Sequence, residues 1–308
     1  MALLDRAIVR MLPVVPKPVV QVISSRYIAG RRLEDACRVV RNVNERGKMA
    51  TVDVLGEEIT EPAEAEAIRD AYVEVLAAVE GNELDSNVSV KPTALGLKLG
   101  YDLCRENLEA VVVDAAGRGN FVRIDMEDSS CTDDTLSLYR DLRKAGHENV
   151  GVVLQAYLRR TLDDVAALAD LRPNVRLCKG IYVEPFQIAY QGDEGIRENY
   201  VEALEALLDN GCYVGIATHD EWLLRQSAAI VEERALGVDE YEFQMLLGVR
   251  EERGDELVRE GHRLRIYVPF GEEWYSYSLR RLQENPKIAG YIAADTVGRI
   301  LSLGRNGR

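Results

Sequence analysis

Short runs of apolar and β-branched residues recur along the chain from residue 49 onward, and each run predicts a buried β-strand. Their starts are about 23 to 39 residues apart, which leaves room for a helix after each strand. The eight runs lie at residues 49–55, 88–91, 121–126, 150–155, 175–179, 213–218, 241–246 and 264–268.

Segments with apolar residues three and four positions apart separate these runs and predict amphipathic helices. The clearest of them span residues 63–79, 132–145, 162–171, 195–210, 221–236 and 250–261. A further amphipathic stripe runs from Leu33 to Val43, before the first strand. Gly47 can end that helix because glycine tolerates left-handed backbone.

The predicted strands read as apolar runs, which is typical of parallel strands covered by helices on both faces. Eight strand–helix units in about 240 residues predict an α/β fold, the (β/α)8 TIM barrel. A doubly wound open sheet is the alternative, but no G-x-G-x-x-G follows the first strand. We therefore expect an N-terminal helical arm over residues 1–46, a barrel over 47–285 and a C-terminal tail helix over 286–308.

Composition and charge narrow the class of protein. The chain has 308 residues, is 47% hydrophobic and 29% charged, and carries a net charge of −14. Such a negative charge repels a phosphate backbone and argues against nucleic acid as a partner. No apolar run is long enough to span a membrane and no cleavable signal peptide is convincing, so we expect a cytoplasmic protein.

The cysteines and histidines favour neither a disulfide framework nor a metal site. The five cysteines are odd in number and form no C-x-x-C pair. His147, His219 and His262 lie far apart and lack the spacing of a zinc-binding motif. We therefore predict no metal, and the lack of a G-x-S-x-G turn argues against an acyl-transfer serine.

Polar residues end nearly every predicted strand, where the active site of a (β/α)8 barrel lies. Each one alone can form a structural salt bridge. A ring of them at one mouth favours a polar ligand site, because buried charge is costly unless it is paired or bound. The ring consists of Lys91, Arg123, Asp125, Glu127, Asp128, Gln155, Tyr157, Arg176, Lys179, Tyr182, Thr218, His219, Asp220, Glu242, Gln244 and Tyr267.

The helix predicted over residues 272–284 places two arginines side by side. Tyr277, Arg280, Arg281 and Glu284 fall within one arc of about 100°, opposite two leucines. Adjacent guanidinium groups repel each other unless they share an anion, and an arginine fork binds a carboxylate in a bidentate manner. The alternative is a solvent-exposed face with arginine–glutamate pairs inside the helix.

Four short segments, taken together and in this order, resemble the proline dehydrogenases. They are RLCKGIY at 176–182, ATH at 217–219, EFQ at 242–244 and YSLRR at 277–281. The resemblance extends over about residues 88–284, and the length of the chain resembles the monofunctional bacterial or archaeal form. It implies a distorted (β/α)8 barrel that binds FAD at its strand ends. The implied reaction oxidises L-proline to Δ1-pyrroline-5-carboxylate, by hydride transfer from proline C5 to FAD N5, and passes the electrons to a quinone.

The resemblance also implies a role for each matching position. On the substrate side are an active-site lysine with a nearby aspartate, a double arginine for the proline carboxylate with its steadying acid, and the wall of the proline ring. The lysine and the aspartate are Lys91 and Asp125. The double arginine is Arg280 and Arg281, and its acid is Glu284. The wall of the proline ring consists of Tyr267, Tyr277 and Leu246. On the cofactor side are Gln155, Arg176, Lys179, Gly180, Tyr182, Thr218, His219, Glu242 and Gln244.

One position departs from the family and one partner follows from it. Ile181 stands where the family usually has alanine, and the larger side chain can narrow the substrate pocket or shift the flavin. A quinone acceptor implies peripheral membrane contact at most, through residues 3–12 or the tail helix. The resemblance leaves the oligomeric state open.

Three other functions compete with this interpretation. A Schiff-base aldolase can use Lys91 or Lys179 as its nucleophile, but it leaves the arginine pair unexplained. A non-catalytic sensor of flavin or amino acids can share the same barrel. A methylenetetrahydrofolate reductase also binds flavin on this barrel, but a carboxylate clamp favours an amino-acid substrate.

Overall fold

A closed barrel of eight parallel strands forms the centre of the computed structural model, which describes residues 26–56, 59–275 and 278. The strands pair in chain order, and the first strand closes the ring by pairing with the eighth. The predicted TIM barrel is therefore confirmed. The strands are β1 Met49–Val54, β2 Ser86–Val90, β3 Val122–Ile124, β4 Val150–Gln155, β5 Asn174–Cys178, β6 Tyr213–Ala217, β7 Tyr241–Leu246 and β8 Leu264–Phe270.

Helices surround this barrel and connect its strands. The helices predicted between residues 33 and 261 are present within a few residues of their expected bounds, and a further helix connects β2 to β3. The helix predicted over 286–308 lies outside the described residues, and most of the helix predicted over 272–284 does too. The helices of the described residues are α1 Leu33–Glu45, α2 Pro62–Gly81, α3 Tyr101–Gly117, α4 Thr132–Lys144, α5 Thr161–Leu168, α6 Asp193–Asp209, α7 Glu221–Glu233 and α8 Glu251–Arg259. Among them, no helix combines the length and the apolar character needed to cross a membrane.

Helix α1 belongs to the outer layer of the barrel. It packs against β8 and β1, so it covers the seam where the ring closes. Ala36, Val40 and Val43 are its buried residues. Gly47 follows it with a φ of 69°, the left-handed backbone expected there. The division into arm, barrel and tail stays a prediction, and residues 286–308 lie outside the described part of the chain.

The two faces of the strands differ in chemical character. In β5, Val175 and Leu177 join the apolar core beneath the helices. Arg176, between them, donates hydrogen bonds to Ser89 of β2 and to Asp125, just after β3. Because these residues lie across the barrel from β5, the Arg176 side chain points into the barrel interior. The strands are buried on both faces as expected, and their inward positions also carry polar groups.

Glycine in two of the strands makes room for these inward polar side chains. A Cβ atom at Gly151 of β4 would lie 2.6 Å from Nη1 of Arg123. A Cβ atom at Gly215 of β6 would lie 2.4 Å from Nε2 of Gln244. The long side chains of neighbouring strands therefore occupy space that any larger residue at these two positions would take.

Candidate active site

Asp125 is the centre of the polar groups at the barrel mouth, where the strands end. Its Oδ1 accepts hydrogen bonds from Ser89 Oγ and from Arg176 Nη1, both at 2.6 Å. Its Oδ2 accepts from the phenol of Tyr267 at 3.1 Å. The Asp125 side chain is 13% exposed, so this carboxylate joins three strands while one side of it remains accessible from the mouth.

Arg176 is held in one orientation by groups from several strands. Its Nε donates to Gln244 Oε1 at 2.5 Å, and Nη1 donates to Asp125. Its guanidinium carbon lies 5.3 Å from the centre of the Tyr267 ring, in cation–π contact. The guanidinium is therefore fixed at the mouth before any ligand arrives.

Lys91, directly after β2, forms a buried ion pair with Asp53 of β1. Its Nζ lies 2.7 Å and 2.6 Å from the two carboxylate oxygens, and the Asp53 side chain is fully buried. Sequence reasoning missed Asp53, although an acid inside an apolar strand was the available signal. We call the following residues the mouth network: Asp53, Ser89, Lys91, Asp125, Arg176, Gln244 and Tyr267.

Gln155 ends β4 beside this network and is incompletely paired. Its Nε2 donates to the carbonyl oxygen of Met126 at 3.2 Å. Its Oε1 is buried and has no hydrogen-bond partner among the residues that the structure describes. A buried acceptor without a partner is costly, and a ligand with an N–H group would satisfy it.

The loop after β5 is pressed against the end of β4. Gly180 has a φ of 98°, and a Cβ atom there would lie 2.1 Å from the Tyr157 ring, so only glycine fits. Lys179 donates to Asp193 and Asp220 at 3.1 Å each. Burial opposes ionisation of Asp220, but hydrogen bonds from Arg197 and Lys179 lower its pKa to about 2. Asp220, after β6, thus holds two cations: Lys179, after β5, and Arg197 of α6.

His219 follows β6 as a partly buried, neutral imidazole. Its Nε2 accepts the amide N–H of Leu246 at 3.0 Å, so the ring proton resides on Nδ1. Burial, with a smaller contribution from Arg250, lowers the pKa of His219 to about 4. Thr218 is buried beside it, and its hydroxyl accepts the amide N–H of Asp220 at 3.1 Å.

A second set of polar groups lies deeper, near the starts of the strands. We call it the floor network: Arg123, Asn174, Tyr213, Glu242 and Arg265. Arg265 donates to Glu242 at 2.7 Å and to the carbonyl oxygen of Ala50 at 2.6 Å. Arg123 donates to the carbonyl oxygen of Asn174 at 2.5 Å.

The floor network corrects the interpretation of two residues. Both oxygens of Glu242 are occupied, Oε1 by Arg265 and Gln244 and Oε2 by the Tyr213 phenol at 3.0 Å. Glu242 is 2% exposed, so it supports Gln244 from below and does not reach a ligand in the mouth. Arg123, also 2% exposed, is a floor residue and not part of the ring at the mouth.

The other predicted positions divide into two groups. Leu246 and Tyr182 are partly buried, the first at the end of β7 and the second in the loop after β5. The predicted substrate clamp, with its tyrosine and its acid, lies outside the described residues. Its members are Tyr277, Arg280, Arg281 and Glu284.

The described mouth thus combines a fixed guanidinium, an ammonium paired with a buried carboxylate, a phenol and an unpaired buried acceptor. Such a set can bind a planar polar ring and can stabilise negative charge on it. Positions on seven of the eight strand ends contribute, which is the usual construction of an active site on this fold.

Comparisons with known proteins agree on one family. A family model described as proline dehydrogenase matches residues 36–293. Proline dehydrogenase 1 from Bacillus subtilis subsp. natto is 37% identical over 267 residues, which cover 87% of this chain and 88% of that protein. The proline dehydrogenase of Deinococcus radiodurans is 36% identical over 274 residues, which cover 88% of each chain.

A solved structure shares the architecture. It is the crystal structure of proline utilization A from Bdellovibrio bacteriovorus, inactivated by N-propargylglycine. It superposes with a TM-score of 0.81 at 26% identity, over 90% of this chain and 36% of that chain. This chain therefore corresponds to one part of that longer protein.

Proposed function

Given that the chain belongs to the proline dehydrogenase family and is an enzyme of proline catabolism, we propose that it oxidises L-proline to Δ1-pyrroline-5-carboxylate with FAD as its flavin and a quinone as its electron acceptor. Proline dehydrogenases are flavin-dependent in general. The observation that supports the proposal is the mouth network, which fixes Arg176 at the barrel mouth, where Gln155 at the end of β4 has a buried oxygen without a partner among the described residues.

The described residues fit a bound FAD. An isoalloxazine ring carries an N–H group that Gln155 Oε1 can accept, and Gly180 lets backbone approach closely because no side chain intervenes. Lys179 and His219, with backbone amides, are our candidates to hold the pyrophosphate and the sugar chain. When bound, FAD supplies an acceptor at N5 for the hydride that leaves proline C5.

The residues of the chain position the reactants and set the local charge. Asp125, Gln244 and the Tyr267 ring hold the Arg176 guanidinium, which is placed to stabilise negative charge on a reduced flavin ring. The Lys91–Asp53 pair places an ammonium beside the proposed substrate. The face of Tyr267 forms part of the wall for the proline ring.

We further propose that Arg280 and Arg281 hold the proline carboxylate, with Glu284 beside them and Tyr277 and Leu246 along the proline ring. Fixing the carboxylate fixes C5 relative to the flavin, which is catalysis by positioning. We also propose a cytoplasmic location with peripheral membrane contact at most, which follows from the quinone acceptor.

An absorbance spectrum tests the proposal. The purified protein is expected to be yellow, with flavin bands that bleach when L-proline is added without oxygen. Acid precipitation is expected to release all of the colour, which chromatography should identify as FAD. A colourless protein that forms a borohydride-trapped adduct on a lysine would support the aldolase instead, and a yellow protein that proline does not bleach would support a sensor.

A further inference from the structure

Exposed apolar side chains are concentrated in one loop. Among the residues that the structure describes, eight large apolar side chains are exposed, and four of these lie between β5 and α6. We call residues 181–188 the apolar loop. Its exposed members are Ile181 at 36%, Val183 at 93%, Phe186 at 64% and Ile188 at 37%. Such a concentration marks an interaction surface more often than isolated exposed residues do.

Several hydrogen bonds hold the apolar loop in place. Glu184 accepts from the backbone N–H and the hydroxyl of Ser129, both at 2.7 Å. Arg159 donates from Nε to the carbonyl oxygen of Phe186, and from its backbone N–H to that of Ile188, both at 2.9 Å. These bonds to two other parts of the mouth prevent the loop from folding its apolar side chains inward.

The ring of Phe186 is presented in a defined way. The Arg159 guanidinium carbon lies 4.5 Å from its centre and covers part of the ring by cation–π contact. The residue nevertheless remains 64% exposed. An exposed aromatic ring with a fixed orientation is suited to a flat apolar partner.

The apolar loop is continuous with the proposed flavin site. It begins directly after Lys179 and Gly180, and Gly180 packs on Tyr157 at the end of β4. The backbone N–H of Tyr190, just beyond the loop, donates to the carbonyl oxygen of Tyr157 at 2.8 Å. A molecule bound on the loop would therefore lie beside the mouth that holds the flavin.

We propose that the apolar loop is the docking surface of the quinone that reoxidises the flavin, an inference that rests on the proposed function. A quinone ring is flat, apolar and uncharged, and the loop offers apolar contact with little charge. An anionic lipid surface is disfavoured, because the chain carries a net charge of −14, Lys179 beside the loop is paired with two aspartates, and Glu184 adds a negative charge to the loop itself. In the step itself, the quinone takes up two electrons and the N5 proton from the anionic reduced flavin, and the second proton comes from solvent water. The quinone leaves as the quinol, and the flavin returns to its oxidised form.

The test compares two double variants of the FAD-loaded protein. Val183→Ser with Phe186→Ser removes the exposed apolar contacts. Val113→Ser with Val238→Ser is the control, because these residues are 53% and 55% exposed and lie on an outer helix and before β7, at the opposite end of the barrel. Proline oxidation is measured without lipid, with a short-chain water-soluble benzoquinone and, as a reference, with ferricyanide.

We expect the loop variant to raise KM for the benzoquinone about 5- to 30-fold relative to the control, from the loss of apolar contact. The ratio of benzoquinone to ferricyanide activity should fall accordingly. An unchanged KM for the benzoquinone would overturn the inference. A loss that is equal with both acceptors would also overturn it, because the damage would then be to the flavin site.

A liposome flotation assay without quinone tests the other possible role of the loop, which is binding to lipid. Lost binding to phosphatidylglycerol vesicles, with unchanged benzoquinone kinetics, would assign the loop to lipid and overturn quinone docking. Failure of the proposed function gives a different result: proline would not bleach the flavin of the unmodified protein. That result removes the premise, whereas the others leave proline oxidation intact.

Discussion

Two networks of charged residues share the inside of this barrel, and they differ in how their carboxylates are paired and exposed. In the floor network, both oxygens of Glu242 are occupied by three protein donors. At the mouth, Gln155 has a buried oxygen without a partner in the described residues, and Asp125 is 13% exposed. A carboxylate that is buried and fully paired holds strands together, whereas a partly exposed carboxylate near an unpaired acceptor is prepared for a ligand.

Gln244 connects the two networks. Its Oε1 accepts from Arg176 in the mouth, and its Nε2 donates to Glu242 in the floor at 2.6 Å. The orientation of its amide is therefore fixed from both sides. Its two hydrogen bonds let the floor support the mouth, and the remaining contacts of each network are different, so changes on the two sides should have separable effects on stability and on activity.

The largest expected effect comes from breaking the floor. Glu242→Gln keeps the volume but removes the charge that compensates Arg265, leaving a buried guanidinium without its anion. We expect a loss of about 3–5 kcal/mol in the free energy of unfolding, measured by urea denaturation. Asp35→Asn is the control, because the Asp35–Arg38 pair is exposed and should contribute under about 1 kcal/mol. Equal losses in both variants would contradict the structural role of the floor.

Breaking the mouth should affect catalysis more than folding. Asp125→Asn weakens the charge-assisted bond that fixes Arg176, which is worth about 1.5–3 kcal/mol. We expect kcat/KM for proline to fall about 10- to 150-fold. The free energy of unfolding, measured on the same preparation, should fall by less than in Glu242→Gln. Normal kcat/KM in a strongly destabilised Asp125→Asn variant would reverse the assignment of the two networks.

The sequence allowed the floor and the mouth to be located but not distinguished. Eight apolar runs with helices between them were enough to predict the barrel, because the outward-facing residues of each strand are apolar and pack against a helix. Asp53 was missed because an acid inside an apolar strand does not by itself reveal its partner, and Lys91 lies 38 residues away. Glu242 was read as a cofactor contact because only the three-dimensional arrangement shows that its oxygens are already paired.

Acid provides a third test, because the two regions respond to pH differently. His219 at the mouth has a pKa of about 4 when folded and about 6.5 when unfolded, so the unfolded chain binds the extra proton first. Stability is thus fully present above pH 6.5 and declines as pH falls toward 4. Glu242 in the floor also has a lowered pKa, but its contribution declines only below the ordinary pKa of 4.5.

We therefore expect the titration of His219 to lower the free energy of unfolding by about 2 kcal/mol when the pH falls from 7.5 to 5. His219→Gln retains an acceptor for the Leu246 amide but cannot titrate, so its unfolding free energy should vary less over this range. Urea denaturation of both proteins at the two pH values measures the difference. Parallel pH profiles would show that His219 does not resist protonation in the folded state.

The smallest expected effect comes from one atom of the mouth. Tyr267→Phe removes the hydroxyl that donates to Asp125 and keeps the ring that contacts Arg176. Loss of one such bond is worth about 0.5–1.5 kcal/mol, so kcat/KM for proline should fall about 2- to 10-fold. FAD content should stay unchanged. A Tyr267→Leu variant, which also removes the ring, should lose more, and equal losses in the two would indicate that the ring face is not used.

Closure of the barrel by β1 and β8 constrains how the protein can be made. Arg265 bonds to the carbonyl oxygen of Ala50, 215 residues earlier, and the two strands pair from end to end. During synthesis from the N-terminus, β1 therefore exposes an open edge until nearly the whole barrel has left the ribosome. When β8 closes the barrel, it brings Arg265 to the floor network and Tyr267 to the mouth network in the same step. A nascent chain that stalls before β8 therefore lacks a partner of the Glu242 carboxylate in the floor and of the Asp125 carboxylate at the mouth.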